Sequence, residues 1–580
     1  MGLFMGARDW EVCWIFPKED ISRCRALCKA FKLHPVLSKV LVARGIRDVS
    51  SARGFLYPRL SECLDPLQIP NMAAAVERLL RARRNRERVL VYGDNDVDGI
   101  TSVTLLTEFF HQVHIDVEYA FNRLPLNYQH SSPHLANEAQ EKGVRLVVTV
   151  DWGTTAVKEI QDIRKMGIDV VVTDHHEPTG RFPKGVAIVN PKFFENYPNR
   201  ELTGVGVAFQ LAMAVFRSLL ASKEIQEDHI DIYKFLDLVA LGTIADLGEL
   251  SGENRILVSH GISLIREGKR LGLRRLLEIS KIDYSRVTAS DIALRVAPKL
   301  NSLGRLSDPA KGVELLLSID SIKSLQLVKK IFEIDRERKE LERKVFCDIE
   351  KFLKNNPSET KKAALVLSSD LWHPRIVPII SAKLSKQYNK PVIIISFSEE
   401  IGKGSARTYM NFPLLKVLKK CSDHFLSFGG HNFAAGLSIR KENFVSFKKK
   451  FIHLVQSSTH CKHRKEDLFL DAEVDFSALD HELLSSIELL EPFGRGNPSP
   501  LFFTTARQYR SPKLVSGSHI KLFLEKDGQH FEGIAFSMEH RLKELKNAGL
   551  SELKVAYTPR IICSPFLGEV VQLLVRDFIF

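Results

Sequence analysis

The stretch that decides the fold is Val-Leu-Val-Tyr-Gly-Asp-Asn-Asp-Val-Asp-Gly, residues 89–99. A run of apolar, strand-forming residues ends in three alternating carboxylates, Asp94, Asp96 and Asp98, and a glycine follows them. Three unpaired anions at the end of a buried strand would carry a large desolvation cost, which a divalent cation relieves. The stretch therefore predicts a buried strand that delivers carboxylates to a metal ion.

Two later runs end in the same way. Residues 147–150 precede Asp151, and residues 170–173 precede Asp174, His175 and His176. From residue 86 to about 265, strand-like runs alternate with amphipathic helices, which predicts a parallel sheet with ligands beyond the carboxyl ends of its strands. An apolar helix over 238–247 would deliver a fourth carboxylate, Asp246.

Carboxylates with imidazole suit Mn²⁺ or Mg²⁺ better than a thiolate site would. The pattern thus favours metal-assisted hydrolysis, most readily of a phosphate ester.

Composition narrows the class of protein. The chain has 580 residues, 44% of them hydrophobic and 26% charged, which is typical of a folded protein with several domains. The formal net charge is +13, and residues 401–455 hold ten Lys or Arg against two Asp or Glu. A surface that basic could follow a phosphate backbone, although a lysine-rich solvated helix would give the same counts.

The eight cysteines are scattered and form no Cys-x-x-Cys pair, which argues against a disulfide scaffold or a zinc ribbon and favours a reducing cytosol. No apolar core follows a basic start, so we expect no signal peptide. No stretch approaches eighteen apolar residues, so we expect no membrane span and a cytoplasmic protein.

The pattern along the chain predicts an α/β protein with five segments. They are an N-terminal helical segment (1–85), a parallel-sheet catalytic domain (86–265), a helical connector containing one long helix over 320–355 (266–355), a second α/β domain (356–455) and a β-rich domain (456–580). The last domain contains the hairpin signal Asp527-Gly528, and we expect a small barrel of the oligonucleotide-binding (OB) kind there.

Several motifs together resemble the DHH phosphoesterase superfamily, named for the triplet seen here at 174–176, and within it the RecJ family of bacterial single-strand-specific 5′→3′ exonucleases. They lie at residues 93–99, 150–153, 174–176, 242–246, 300–306, 404–407, 429–436 and 492–498. The resemblance implies a parallel-sheet DHH domain and a second, DHHA1-type α/β domain joined by a long helix, plus a C-terminal OB-like β-barrel.

The chain departs from the family pattern at several positions. Asn95, Lys299 and Asp335 stand where other residues are common. The largest departure is Arg-Ile-Val-Pro at 375–378, where the family usually has a Gly-Val-Ile-Gly-like run. That run opens a helix of the second domain, so the departure puts close backbone approach to phosphate in doubt there and leaves the metal site untouched.

The resemblance also implies roles at the metal site. Asp151 would bridge two ions, Mn²⁺ or Mg²⁺; Asp96 and His175 would complete one site, and Asp98 and Asp246 the other. For Asp94, direct metal binding and a supporting hydrogen bond both remain open. Asp174 would orient His175 or bind metal, and His176 would contact the phosphate or the leaving oxygen. The catalytic set is therefore Asp151, His175 and His176.

A second set of residues would contact nucleic acid. It comprises Asn301, Arg305, Ser405, Arg407, Gly429, Gly430 and His431. Glycines let a backbone come close and offer N–H groups, while arginine supplies a forked donor. Single-strand preference would follow from a channel too narrow for duplex.

Three functions compete at this stage. The first is a metal-dependent exonuclease that acts on single-stranded DNA in recombination and repair. The second is a DHH hydrolase of oligoribonucleotides, cyclic dinucleotides or pyrophosphate, although such relatives mostly lack the last β-rich region. The third is a non-catalytic single-strand-binding scaffold, although such proteins tend to lose metal ligands. The resemblance adds a single-strand-binding protein and a helicase as expected partners, a monomer, and a bacterial cytoplasm.

Overall fold

The computed structural model describes residues 12–18, 20–122, 132–178, 180, 182–408, 412–430, 433–458, 466–564 and 568–580. The chain divides into two compact units. The central unit is Gly54–Glu337 together with Glu491–Pro498, and the flanking unit is Met1–Arg53, Arg338–Leu490 and Ser499–Phe580.

The strands of the described residues are β1 (Val12–Ile15), β2 (Arg88–Gly93), β3 (Val117–Phe121), β4 (Val144–Val150), β5 (Asp169–Thr173), β6 (Ala187–Val189), β7 (Leu365–Ser369), β8 (Val392–Ser398), β9 (Ile401–Arg407), β10 (Phe425–Gly430), β11 (Ala434–Arg440), β12 (Glu466–Phe469), β13 (Ala472–Glu473), β14 (Phe502–Gln508), β15 (Lys513–Val515), β16 (His519–Lys526), β17 (Gln529–Ala535), β18 (Glu552–Ser564) and β19 (Gly568–Ile579).

The α-helices are Ile21–Phe31, Pro35–Ala43, Val49–Leu56, Met72–Arg84, Val97–Gln112, Ser132–Glu141, Val157–Lys165, Gly204–Ala221, Leu236–Ala245, Gly252–Glu267, Leu271–Ile279, Ala289–Asp291, Ala297–Leu306, Ala310–Leu317, Ser321–Asn355, Pro357–Lys361, Val377–Tyr388, Leu414–Lys419, Phe444–Gln456, His481–Glu488 and Leu542–Ala548, with a π-helical turn at Ile292–Val296.

The central unit is built on a parallel sheet of five strands in the order β3-β2-β4-β5-β6. β2, β4 and β5 are runs of β-branched residues and are buried almost throughout, as parallel strands covered on both faces must be. The predicted parallel sheet and these three strands are confirmed. The sequence prediction missed β3 and β6, because β3 is partly exposed and β6 has only three residues.

One helix of the central unit, Gly204–Ala221, has the length and mean hydropathy of a membrane span, which the sequence prediction overlooked. Within that stretch, 78% of the residues are buried in the molecule. They belong to one hydrophobic core together with the sheet, so the helix is accounted for as a core helix of this unit.

The long helix is confirmed at Ser321–Asn355. The segment predicted as a connector is not uniform, however. Its residues up to Glu337 cluster with the central unit, and Val328, Ile331 and Ile334 of the long helix join that unit's core. The remaining residues of the helix belong to the flanking unit.

The flanking unit contains two sheets that carry the predicted domains. The second α/β sheet has the order β10-β11-β9-β8-β7. The C-terminal barrel runs β14-β18-β19-β17-β16 and closes where β16 pairs with β14, as an OB-like barrel does. The hairpin signal is confirmed, because Asp527 and Gly528 form the turn between β16 and β17 with φ of 50° and 79°.

The first 85 residues, predicted to be helical, also include a strand. β1 pairs in parallel with β12, and Trp14 Nε1–H donates to Asp577 Oδ2 at 2.8 Å. The N-terminal segment therefore pairs with the β-rich region. No local sequence pattern predicts a pairing between segments so far apart in the chain.

Candidate active site

The three alternating carboxylates lie on the turn between β2 and the helix Val97–Gln112. Asp96 caps that helix, because its Oδ1 accepts a hydrogen bond from the Gly99 N–H at 3.1 Å. Gly99 must be a glycine, since a Cβ there would lie 2.1 Å from the Asp94 carbonyl oxygen. The turn therefore folds tightly enough to present all three carboxylates at the carboxyl edge of the sheet.

Asp98 is buried and held by a second helix. Its carboxylate accepts hydrogen bonds from the Gly204 and Val205 N–H groups at 2.7 and 2.8 Å, at the N-terminus of the helix Gly204–Ala221. A helix N-terminus stabilises an anion through its unsatisfied N–H groups and its dipole. Gly242 packs on the same carboxylate, because a Cβ there would lie 3.1 Å from Asp98 Oδ1.

Asp151 follows β4 in a left-handed backbone conformation, with φ of 55°. Its side chain is buried against Gly204, where a Cβ would lie 2.6 Å from the Asp151 Cβ. Asp151 Oδ1 lies 2.9 Å from His175 Nε2, yet it forms no hydrogen bond with any described residue. A buried carboxylate oxygen without a hydrogen bond is costly, and a bound cation would relieve that cost.

The Asp-His-His triplet follows β5, and its aspartate, Asp174, accepts hydrogen bonds mainly from the two histidines that follow it. Asp174 accepts hydrogen bonds from the N–H groups of Thr154, His175 and His176 at 2.8, 2.7 and 3.1 Å. It also lies 2.7 Å from His176 Nδ1. Asn190 Nδ2 donates to the His176 carbonyl oxygen at 2.9 Å and closes the loop. Of the two open roles for Asp174, orienting a histidine fits these contacts. The ring that Asp174 contacts is that of His176, whereas the sequence prediction named His175, which Asp174 reaches through its backbone N–H.

Asp246 follows the last residue of the apolar helix Leu236–Ala245, where the sequence predicted it. Its Oδ2 lies 3.8 Å from His175 Nε2, and Asp98 Oδ2 lies 3.7 Å from the same nitrogen. The imidazole of His175 therefore faces carboxylates from three separate segments of the chain.

Without a bound cation, the negative charges of the clustered aspartates are strongly unfavourable. Burial, together with the charges of neighbouring carboxylates, raises the pKa of Asp98 and Asp151 well above the ordinary range. The same causes raise the pKa of Asp94 to about 6 and that of Asp246 to about 7. Burial opposes charge on His176, but its hydrogen bond to Asp174 prevails and raises the pKa of the imidazole to about 9.

These residues fit divalent cations. Three groups have ligand atoms within 4.8 Å of one another: Asp94, Asp96 and Asp151; Asp98, His175 and Asp246; and Asp151, Asp174, His175 and His176. Asp151 is shared by two groups. Oxygen-rich ligands with one imidazole suit Mn²⁺ or Mg²⁺. The geometry places His175 with Asp98 and Asp246, whereas the sequence prediction had paired it with Asp96.

Asn301 supports the carboxylate turn. Its Oδ1 accepts a hydrogen bond from the Val97 N–H at 3.0 Å, which satisfies a free donor at the start of that helix. One turn further along, Gly304 packs on the same segment, because a Cβ there would lie 1.7 Å from the Asn95 carbonyl oxygen. The oxygen of Asn301 therefore serves the scaffold, while Arg305, predicted to contact nucleic acid, lies on the same helix and is partly buried.

Ser405 and Gly429, both predicted to contact nucleic acid, lie on a strip across three strands of the flanking unit together with Gly436, which was not in the predicted set. Ser405, Gly436 and Gly429 lie side by side on β9, β11 and β10. A Cβ at either glycine would meet no atom within 4 Å, so this part of the sheet is open backbone. Ser405 is buried, and its Oγ forms no hydrogen bond with any described residue. Arg407 lies two residues along β9, on the same face.

The departure at 375–378 adds charge beside this strip. Burial lowers the pKa of Lys403, and the nearby charge of Arg375 lowers it further. The positive charge of Arg375 therefore acts on Lys403, two residues before Ser405 on β9. Gly430 lies at the end of β10 with φ of 137°, and a Cβ there would lie 2.3 Å from the Ala434 carbonyl oxygen. His431, predicted to contact phosphate, lies outside the described residues.

Comparison with known proteins agrees with this geometry. The models of the DHH family N-terminal domain, the DHHA1 domain and the RecJ OB domain match residues 88–243, 360–457 and 470–577. A single-stranded-DNA-specific exonuclease RecJ of Haemophilus influenzae is 34% identical over 564 residues, which cover 94% of this chain and 96% of that protein. The chain belongs to the RecJ family.

Two further RecJ proteins set the extent of the likeness. The RecJ of Bacillus subtilis is 30% identical over 534 residues, which cover 90% of this chain and 66% of that protein. The crystal structure of Thermus thermophilus RecJ in complex with Mn²⁺ matches with a TM-score of 0.82 at 24% identity, over 98% of this chain and 80% of that one. Its fold is therefore shared, including the DHH, DHHA1 and OB domains.

Sequence reasoning missed several residues that shape this RecJ site. Thr154 and Asn190 hold the triplet, and Gly204 donates its N–H to Asp98 while leaving room for Asp151. Among these, Thr-Gly-Val-Gly at 203–206 before an apolar helix was a usable signal of a helix N-terminus. Asn190 and Thr154 lie in ordinary loops, so nothing local marked them.

We expect Mn²⁺ to stabilise the metal-free protein against heat. A cation that binds only the folded chain contributes about 2.7 kcal/mol at a hundredfold excess over its Kd, which corresponds to a rise in Tm of roughly 5 °C or more. Differential scanning calorimetry with and without Mn²⁺ would measure it. Asp246→Asn should shrink the rise, whereas Asp228→Asn, an exposed site in the same unit, should not. An equal rise in all three proteins would contradict the assignment of Asp246.

Proposed function

We infer that this chain is a metal-dependent exonuclease that hydrolyses single-stranded DNA. The observation that carries the inference is the convergence of five aspartates and His175, from four segments of the central unit, on groups that fit divalent cations. The RecJ relatives, named as single-stranded-DNA-specific exonucleases, support the substrate. Motif likeness to the family supports 5′→3′ polarity and the release of 5′-mononucleotides.

Two ions, Mn²⁺ or Mg²⁺, would be held by this chain's own side chains. Asp94, Asp96 and Asp151 would hold one, and Asp98, His175 and Asp246 the other. Motif likeness supports Asp151 as the ligand that both ions share, and its Oδ1 lies 2.9 Å from His175 Nε2 of the second group. When bound, such ions neutralise phosphate charge and supply hydroxide at neutral pH. These are the same six metal ligands that the sequence predicted, but His175 is grouped with Asp98 and Asp246 and not with Asp96.

His176 has a distinct role beside the metal ligands. Asp174 holds its Nδ1, so Nε2 is the nitrogen left to face substrate. The carboxylate of Asp174 beside Nδ1 favours the protonated imidazole. We propose that the imidazole binds a phosphate oxygen and donates its proton to the departing oxygen of the strand, as a general acid.

The strip on the flanking unit would bind the sugar–phosphate backbone. At Gly429 and Gly436 no side chain would stand between a phosphate and the sheet, and Arg407 supplies a forked donor on the neighbouring strand β9. The OB barrel would extend the contact by base stacking. Its rim holds Tyr509 with Arg510 5.6 Å above the ring.

Three substrates tested side by side decide the function. With Mn²⁺ present, the chain is expected to release mononucleotides from a single strand and to leave a blunt duplex of the same sequence intact. Cleavage of a dinucleotide alone would select the short-substrate hydrolase instead. Binding of the single strand without cleavage would select the scaffold. Blocking one end of the single strand at a time then assigns polarity.

Cellular context follows from the family and the bacterial relatives. We propose that the protein works in the bacterial cytoplasm, in recombination and repair, and acts as a monomer alongside a single-strand-binding protein and a helicase. Sedimentation of the purified chain, alone and mixed with each candidate partner, tests the oligomeric state and both partners.

We expect Arg407→Ala to weaken single-strand binding by about tenfold, because it removes one forked phosphate contact from the strip. The reaction of a dinucleotide, which needs little backbone contact, should change less. Lys419→Ala, an exposed charge in the same domain, is the matched control. Fluorescence anisotropy with Ca²⁺ in place of Mn²⁺ would measure binding without turnover. An equal loss of affinity in the two variants would mean that Arg407 contributes only its net charge and no specific phosphate contact.

A further inference from the structure

A short turn of the central unit carries an arginine that the function above does not use. Residues Glu491–Pro498 belong to this unit, although the chain on either side belongs to the flanking unit. The Gly494 N–H donates to the Asn497 carbonyl oxygen at 2.8 Å, and the Asn497 N–H donates back at 3.2 Å. Arg495 and Gly496 therefore form the tip of the turn, with φ of 79° at Gly496.

The turn is fixed on the loop that follows Asp246. The Leu250 N–H donates to the Arg495 carbonyl oxygen at 2.7 Å. Both glycines of the turn allow close packing: a Cβ at Gly494 would lie 2.7 Å from Leu250 Cδ1, and one at Gly496 would lie 2.5 Å from Glu249 Cγ. These contacts hold the backbone of Arg495 on the loop that follows Asp246, and none of them involves the Arg495 side chain.

The start of the segment is anchored as well. Arg255 Nη2 donates to the Glu491 carbonyl oxygen at 2.8 Å, and Arg266 Nη2 lies 3.3 Å from Glu491 Oε2. Asn497 Nδ2 donates to the Pro492 carbonyl oxygen at 2.9 Å and braces the turn from within. Such bracing at both ends presents the tip residue in a defined place.

The side chain of Arg495 is exposed, and no described carboxylate lies within ion-pair distance of it. Because the Arg495 carbonyl oxygen is held by Leu250, four residues after the metal ligand Asp246, the arginine is fixed on the loop that supplies that ligand. An exposed guanidinium on this loop, without a described carboxylate partner, is available to bind an anion.

We propose that Arg495 binds a phosphodiester of the DNA strand at the metal centre, next to the scissile bond. The proposal rests on the inferred exonuclease function. A guanidinium offers two parallel N–H donors that match the oxygens of a phosphate. Because Arg495 is exposed on the rim, whereas Asp151 and His176 face the reacting phosphate, it serves the neighbouring phosphate and acts mainly on binding.

Salt dependence gives the sharpest test. The logarithm of the affinity for a single strand falls with the logarithm of salt concentration, with a slope of about 0.7 per phosphate contact. Arg495→Ala should therefore reduce that slope by about 0.7 and weaken binding about tenfold at 0.1 M salt. Arg495→Lys should keep most of the slope. Arg286→Ala, an exposed arginine of the same unit, should change neither quantity.

Kinetics supply a second readout. With Mn²⁺, Arg495→Ala should raise KM for the single strand about tenfold while kcat changes less than about threefold. An unchanged slope together with an unchanged KM, in a variant whose melting curve matches the parent, would overturn the role of Arg495 and leave the exonuclease function standing. If the parent protein itself fails to degrade single strands, the function fails first, and the anisotropy slope still reports whether Arg495 contacts DNA.

Discussion

Asp151→Asn is expected to lower the rate of single-strand hydrolysis by about 10³-fold or more, because it removes a carboxylate that groups with Asp94 and Asp96 and lies 2.9 Å from His175 Nε2. Asparagine keeps the size of the side chain and tolerates the left-handed backbone at this position, where φ is 55°. The fold should therefore survive a change that alanine would strain. Rates with saturating Mn²⁺, measured on a labelled single strand, give the loss.

Binding separates this prediction from simple unfolding. Affinity for the single strand, measured with Ca²⁺, should stay within about threefold of the parent, since phosphate contacts come mainly from other residues. The metal-free variant should melt no lower than the parent, because the substitution removes a buried group whose charge its neighbours oppose. Asp228→Asn, exposed in the same unit, should leave all three quantities unchanged. If the rate of hydrolysis stayed within tenfold of the parent, the assignment of Asp151 as a metal ligand would be contradicted.

The sequence was most informative where a simple rule links it to space. Parallel strands share a carboxyl edge, so acids after β2, β4 and β5 had to meet once those strands were adjacent, as they are. The spacing of the motifs identified the ligands but not how they are grouped. His175 lies nearest to Asp151, Asp98 and Asp246, and that grouping depends on side-chain directions at the ends of three elements.

Other features had no local signal. β18 and β19 were missed: Pro559 lies within the first, and a bulge between Ala556 and Tyr557 breaks its alternation. Asn301 was predicted to contact DNA because a motif shows that a residue matters and does not show what its atoms touch. In the structure its oxygen holds the Val97 N–H, so part of the motif maintains the metal turn.

Because the helix that carries Asn301 supports the metal-binding turn, we expect a large effect of a substitution at Gly304 on the same helix. Asn301 and Gly304 lie three residues apart on one helix, hence on one face, and both contact the carboxylate turn. A Cβ at Gly304 would lie 1.7 Å from the Asn95 carbonyl oxygen, which is backbone and cannot rotate away. Gly304→Ala must therefore push the helix or the turn by more than 1 Å.

The shift should displace Asp94 and Asp96 and weaken the hydrogen bond between Asn301 and Val97. A misplacement of about 1 Å at a catalytic centre costs roughly 100-fold in rate, and overpacking of this kind costs about 1–3 kcal/mol of folding stability. We expect both losses in Gly304→Ala, measured as kcat on a single strand and as the free energy of unfolding in urea.

A matched glycine distinguishes steric displacement from helix propensity. Gly54, the first residue of the central unit, also lies within a helix, Val49–Leu56, but a Cβ there would meet only Glu62 Oε2, at 3.7 Å. Gly54→Ala should therefore be neutral or stabilising by up to about 1 kcal/mol, with full activity. If Gly304→Ala behaved in the same way, the helix would not be pressed against the metal turn, and Asn301 would be free to serve the DNA directly.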